Sequence, residues 1–206
     1  MFSEEVFNAI AAAFAAMSLW EVAAVVLALA YLIFAMKENS LCWYAAFVST
    51  SIYVFLFWDV SLLMESALQI FYLVMAVYGW WQWRKQGDTQ SELRIHRWAL
   101  RTHIIVAVVV GLLTLSFGYV LSTSTHAELP YLDSFTTWGA VVTTYMVTRK
   151  VLENWIYWIV IDGASVYLYI DRELYLTALL FVLYVVLVVI GFFQWNAIYK
   201  REQLES

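Results

Sequence analysis

Seven runs of mostly apolar residues, at about 18–36, 41–58, 61–83, 103–122, 132–148, 153–170 and 174–196, follow one another, with short polar breaks apart from a longer one at 84–102. Crossing about 30 Å of hydrocarbon takes roughly 20 such residues in a helix, so each run has the length of one crossing. No run alternates strictly between apolar and polar residues, which argues against a barrel. The composition agrees: 64% of the residues are hydrophobic and 13% charged, against about 25% charged in an ordinary soluble domain, and mean hydropathy is +0.76. The sequence therefore predicts an all-α integral membrane protein with seven transmembrane helices. The remaining stretch, 2–16, is Ala-rich and short, and carries Glu4 and Glu5 where a signal peptide would be basic. It is expected to form a short extra helix at the outer interface, with an eighth span as the competing reading.

The basic residues orient the bundle. With seven spans, Lys37, Arg84, Lys85, Arg94, Arg97, Arg101, Arg149, Lys150, Lys200 and Arg201 fall on one side and Arg172 alone on the other. The positive-inside rule then places the C-terminus in the cytoplasm and the N-terminus outside. These residues are scattered anchors next to the membrane, without the aromatic interleaving of a nucleic-acid surface, so no nucleic-acid partner is expected. The stretch 86–102 reads as a polar, basic cytoplasmic loop.

Enzymatic chemistry has no foothold. His96, His103 and His126 lie in or beside loops without a partner at helical spacing, Cys42 is the single cysteine, and neither a nucleophile elbow nor a phosphate-cradling glycine loop occurs. No metal, no cofactor and no enzyme activity are expected.

The chain repeats itself. "YGWWQW" at 78–83 and "IGFFQW" at 190–195 share Gly79 with Gly191, Gln82 with Gln194 and Trp83 with Trp195 at an offset of 112, and Tyr72 with Tyr184 keeps it. "ENSLCW" and "ENWIYW" align Glu38, Asn39 and Trp43 with Glu153, Asn154 and Trp158 at an offset of 115, and Tyr31 with Tyr145 gives 114. The shift of three reads as a loop-length difference. Two three-helix units around an odd linker helix make a 3+1+3 plan with parallel units, an architecture of transporters whose central pathway is shared between the halves. The units are 1–17 for the short N-terminal helix, 18–83 and 132–196 for the repeats, 84–131 for the cytoplasmic loop and linker helix, and 197–206 for the cytoplasmic tail.

"QIFYLVMAVYGWWQW", 69–83, and "NWIYWIVIDGASVYLY", 154–169, resemble the PnuC nicotinamide riboside transporters, relatives of the SWEET sugar transporters. Gln69, Tyr72, Tyr78, Gly79, Trp80 and Trp83 carry the first match, and Asn154, Trp158 and Asp162 the second. The resemblance implies uptake of nicotinamide riboside, an NAD precursor, across a bacterial inner membrane without ATP hydrolysis. It also implies a homo-oligomer, a trimer, and a cytoplasmic riboside kinase that traps the solute. SWEET relatives hinge on prolines, whereas here Pro130 is the single proline, leaving Gly79, Gly139, Gly163 and Gly191 as candidate hinges.

Read as chemistry, Asn154, Trp158 and Asp162 share one helix face at i, i+4 and i+8, with Asp162 about midway across. An ionisable group at that depth costs about 3 kcal/mol unless it meets a polar partner or a water-filled cavity. A cationic ring ligand would suit a carboxylate beside aromatics; a carboxylate that locks helices together is the alternative. Gln69 and Tyr72 share a face, with Glu65 a turn away, and a buried amide suits a ribose or a carboxamide, or clasps two helices. Asn39 and Trp43 are expected to present a second amide and a second indole from the other half. The candidate substrate-binding set is thus Asn39, Trp43, Gln69, Tyr72, Asn154, Trp158 and Asp162. Tyr78, Gly79, Trp80, Trp83, Gly191 and Gln194 are assigned to gating or packing. Trp81 and Trp195 are expected in the interfacial aromatic belt. Glu38 and Glu153 are expected to be solvated carboxylates at helix starts. A channel is the second function class and an intramembrane enzyme or scaffold the third; neither a ring of like residues nor a catalytic constellation is visible.

Overall fold

The computed structural model describes residues 2–59, 63–84, 93–124 and 129–205, and these form eight helices. They are α1 (Phe2–Ala16), α2 (Leu19–Met36), α3 (Leu41–Asp59), α4 (Leu63–Arg84), α5 (Leu100–Ser124), α6 (Pro130–Thr148), α7 (Asn154–Asp171) and α8 (Tyr175–Glu205). Leu19–Met36, Leu100–Ser124 and Tyr175–Glu205 are long and apolar enough to cross a membrane by length and composition alone. The last helix runs nine residues beyond the apolar stretch that announces it, to Glu205. Lys85 and His126 fall outside the described residues, as does the side chain of Glu65.

Local chemistry sets the breaks. Ser18 caps α2 with a full capping box: its hydroxyl accepts from the Glu21 amide at 3.2 Å, and the Glu21 carboxylate accepts from the Ser18 amide at 2.6 Å. Pro130 occupies the first turn of α6, where a missing N–H costs nothing. Three helices end in one and the same turn. Glu38, Lys150 and Glu173 each take positive φ, 53°, 54° and 58°, and each donates its amide to the carbonyl three residues back, while the following amide reaches five back. This is the left-handed helix stop usually taken by glycine.

Six helices pack as a closed ring. α3 lies between α2 and α4, α7 lies between α6 and α8, and the two triplets meet where α2 touches α8 and where α4 touches α6. The remaining two sit outside: α5 against α6, and α1 against α8. The ring's base is the end that holds the α2–α3 turn, the α6–α7 turn and the last turns of α4 and α8. Its core there is built of tryptophan. Trp43 meets Trp83 edge-on at 5.3 Å and 87°, Trp155 meets Trp195 at 5.3 Å and 84°, and Trp83 and Trp195 lie 6.1 Å apart.

These pairs correct the internal register. The partner of Trp43 is Trp155, not Trp158, because Gly79 lies against the Trp43 indole as Gly191 lies against that of Trp155. The offset is 112 throughout, and the turns agree: Glu38 donates to Ala35 as Lys150 does to Val147, and Asn39 donates to Phe34 as Val151 does to Met146. The apparent 115 came from a second Glu-Asn-x-x-x-Trp string that begins at Glu153, three residues after the true equivalent of Glu38. The two turns have the same length.

The loop before α5 is more than a polar connector. Residues 93–99 run against the α6–α7 turn, with the His96 amide donating to Lys150 at 3.2 Å and the Leu152 amide donating to His96 at 2.8 Å. Ile95 is buried in the core beside them.

Candidate functional site

Within the ring a cavity of ≈ 160 Å³ is lined by Ala28, Tyr31, Trp43, Ala46, Ser49, Thr50, Tyr72, Ala76, Thr144 and Trp158. Small residues of α2, α3 and α4 leave the space, the rings of Tyr31, Trp43, Tyr72 and Trp158 wall it, and hydroxyls of Ser49, Thr50 and Thr144 supply its polar edge. Two of these hydroxyls are already committed. Ser49 donates to Ala24 at 2.7 Å and Thr144 to Ala140 at 2.8 Å, which leaves their oxygens as acceptors. Such a cavity takes a flat ring between aromatic faces and offers hydrogen bonds at the edge.

The structure divides the residues singled out by sequence. Trp43, Tyr72 and Trp158 line the cavity. Asp162 is buried, among tyrosines, within electrostatic reach of Tyr72 and Tyr184. Gln69 is half-buried on α4, a turn from Tyr72. Asn154 is fully buried at the base, where its amide donates to Val151 at 2.7 Å and its Oδ1 has no partner. Asn39 is exposed and holds the start of α3, its Oδ1 accepting from the Leu41 amide at 2.9 Å. The two asparagines are thus not a matched pair, for the counterpart of Asn39 is Val151.

The gating or packing set divides as well. Gly79 and Gly191 lie against the Trp43 and Trp155 indoles, and a side chain at either would collide with the ring. Trp83 and Trp195 are buried, 1% and 0% exposed, so Trp195 belongs to the core rather than to an interfacial belt; Trp81 is 47% exposed. Each buried indole ties one half to the other, Trp83 donating to the Thr148 carbonyl at 3.2 Å and Trp195 to the Ala35 carbonyl at 3.0 Å. Trp80 donates to the Tyr44 hydroxyl at 2.9 Å. Gln82 donates to the Tyr78 hydroxyl at 3.0 Å, whereas its repeat partner Gln194 is exposed.

Neither glutamate at the helix starts stands alone in solvent. Lys150, with 1% of its side chain exposed, donates to Glu38 at 2.9 Å and lies 5.0 Å from the centre of the Trp83 ring. The two residues occupy equivalent positions of the two turns, so the ion pair bridges the halves at the base. Glu153 accepts from the Trp98 amide at 3.3 Å and lies 3.7 Å from Arg97 and 4.0 Å from His103, whose Nδ1 meets the Tyr157 hydroxyl at 2.9 Å. At the opposite end Arg172 pairs with Asp133 at 2.9 Å. Among the described residues, no group of His, Cys, Asp and Glu side chains could hold a metal ion.

Sequence reasoning missed Tyr31 and Thr50 as cavity residues and Trp155 and Lys150 at the base. An offset of 112 held constant through the turns would have found all but Tyr31: it pairs Trp155 with Trp43, Lys150 with Glu38, and Thr50 with Asp162.

Residues 18–197 match the family model described as nicotinamide mononucleotide transporter. The chain belongs to that family. Among curated members of this transporter family, the nicotinamide riboside transporter PnuC of Escherichia coli (strain K12) is 25% identical over 174 residues, covering 72% of each chain. The riboflavin/roseoflavin transporter RibM of Streptomyces davaonensis is 28% identical over 127 residues, covering 60% of this chain and 59% of its own. The crystal structure of the vitamin B3 transporter PnuC has the same fold, with a TM-score of 0.71 over 95% of this chain and 90% of that one at 20% identity. The family model and both relatives are named as transporters, so this member is a transporter and not an enzyme.

Proposed function

We propose that the chain carries nicotinamide riboside across a bacterial inner membrane by alternating access, with the ring cavity as the site. The observation that carries this reading is the cavity between the halves, walled by Tyr31, Trp43, Tyr72 and Trp158 and edged by hydroxyls. Aromatic faces stack on the nicotinamide ring and attract its positive charge, and hydroxyls suit the ribose. A cationic ring would in turn favour the charged form of Asp162, buried within electrostatic reach of Tyr72. At ≈ 160 Å³ the cavity is below the roughly 300 Å³ where ligand sites usually begin, so the riboside enters as the halves move apart.

The proposed plan is seven crossings, α2–α8, as a 3+1+3 array of the SWEET kind, with parallel halves, the N-terminus outside, the base and C-terminus in the cytoplasm, and α1 at the outer interface. In that frame the Glu38–Lys150 pair and the two cross-half indole bonds close the cytoplasmic end and must break for release. Transport is a passive uniport, since the sequence has no phosphate-binding loop and Asp162, about midway across, is accompanied by aromatics and amides rather than by a chain of acids and histidines. A cytoplasmic riboside kinase then traps the product, and the assembly is a homo-oligomer, a trimer.

Proteoliposomes loaded with nothing but buffer test this reading. Labelled nicotinamide riboside should equilibrate to the outside concentration, whatever pH or sodium gradient is imposed, and nicotinamide and sugars should compete poorly. Uphill accumulation that collapses with either gradient rejects uniport, and absence of flux rejects the substrate. A second substrate, riboflavin, follows from the likeness to RibM and is a competitor to include.

A further inference from the structure

A second opening faces away from the ring. Between α3 and α4 lies a groove of ≈ 370 Å³ lined by Trp43, Tyr44, Phe47, Ala76, Val77 and Trp80. Tyr44, Phe47 and Val77 are each about half exposed, and α3 packs against no described helix other than α2 and α4, so the groove lies on the outer face of the ring. Its walls are apolar along their length. Its polar atoms gather at the basal end: Trp80 donates to the Tyr44 hydroxyl at 2.9 Å, and the Arg84 guanidinium sits 5.0 Å from the centre of the Trp80 ring, one helical turn beyond it.

The other half lacks this combination. At the offset of 112, Tyr44 becomes Ile156, Ala76 becomes Val188, Trp80 becomes Phe192 and Arg84 becomes Asn196. The charge, the hydroxyl and the indole N–H are all gone, although the Trp155–Gly191 packing beneath matches that of Trp43 and Gly79. The tryptophan–glycine packing of this fold therefore forms in the second half without such a rim.

We infer that this groove binds one anionic phospholipid of the leaflet at the base, its acyl chain along Phe47 and Val77 and its phosphate on Arg84. Within a membrane an apolar groove gains little from an acyl chain alone, since the surrounding lipid is equally apolar. Selectivity then comes from the head group. An arginine presents a planar fork that bonds phosphate oxygens in pairs, and stacking on Trp80 fixes that fork before the lipid arrives. The indole and the phenol lie where amphipathic rings settle at the head-group level. The opposite wall of the groove is the Trp43 indole, which also lines the ring cavity.

Native mass spectrometry of the purified full chain tests the site without reference to any transported solute. The protein is titrated with phosphatidylglycerol and, separately, with phosphatidylcholine of the same acyl chains. Retention of phosphatidylglycerol is expected to exceed that of phosphatidylcholine and to fall about tenfold in Arg84→Gln, the scale of lost bonds to a charged group. Arg201→Gln, an exposed arginine on α8 at the same end, is expected to leave it unchanged. Equal retention of the two lipids overturns the inference, as does an equal loss in both arginine variants, which would mean diffuse attraction to the basic end. Val77→Trp, which fills the groove and keeps the charge, is expected to reduce retention as well; undiminished binding there places the lipid elsewhere.

Discussion

The two halves of the ring agree in the buried tryptophan and glycine packing of the base and diverge at the cavity. At the base, Trp43 and Trp155, Gly79 and Gly191, and Trp83 and Trp195 superimpose in role, and even the turns share their hydrogen bonds. Around the cavity the same offset pairs Ala46 with Trp158, Thr50 with Asp162 and Tyr31 with Thr143. Packing makes the same demand on each half, so the base keeps the repeat. The proposed solute, with one charged ring and one sugar, makes different demands on the two sides, in keeping with the cavity's departure from the repeat. The division is not absolute: Glu38 and Lys150 differ and still pair at the base, and Tyr72, which lines the cavity, matches Tyr184.

The ion pair at the base is the most exposed point of this comparison. Glu38→Gln removes one partner of a buried ion pair and is expected to cost about 3–5 kcal/mol of stability, read as loss of thermal stability in detergent. Because the two positions are equivalent, exchanging the charges in Glu38→Lys with Lys150→Glu should recover part of that loss. No recovery would mean that the two turns are not interchangeable.

Next come the glycines. Gly79→Val and Gly191→Val each press a side chain into a buried indole and should destabilise by about 1–3 kcal/mol, equally in the two halves. A cost confined to one of them breaks the symmetry of the base.

The cavity should respond in the opposite manner. Trp158→Ala is expected to weaken riboside binding by about 1–3 kcal/mol in a titration of purified protein, while Thr50→Ala, at the position equivalent to Asp162, should cost about 1 kcal/mol. Equal effects at Trp158 and at its counterpart, in Ala46→Gly, would remove the asymmetry of the cavity. Trp81→Ala, outside both regions, should change binding by less than about 0.5 kcal/mol.

The smallest perturbation tests the frame itself. Single cysteines at Ser124 and Gln203, in a Cys42→Ala background, should label from opposite sides of the membrane, with Ser124 reacting from outside. Both ends lie at exposed positions of long helices, and labelling from one face would remove the proposed seven-crossing plan.

Periodicity and length by themselves determined that the chain is helical and apolar, where its helices break, and that its third and seventh apolar runs repeat. A helix length of about 20 residues and the placement of polar breaks are local matters, written in consecutive residues. The aromatic motifs carried the transporter family, because they are consecutive too. Which tryptophan answers Trp43 was not legible, since "ENWIYW" offers two indoles three residues apart and a local match takes the wrong one. The contact with Gly191 decides for Trp155, and that contact joins α7 to α8. In the same way Glu38 and Glu153 look solvated until the tertiary structure brings Lys150 and residues 97–103 against them. Cavity residues such as Tyr31 and Thr50 are ordinary in the sequence. They become a site only because the ring closes through α2 with α8 and α4 with α6, and burial between distant helices is a property that neighbouring residues do not encode.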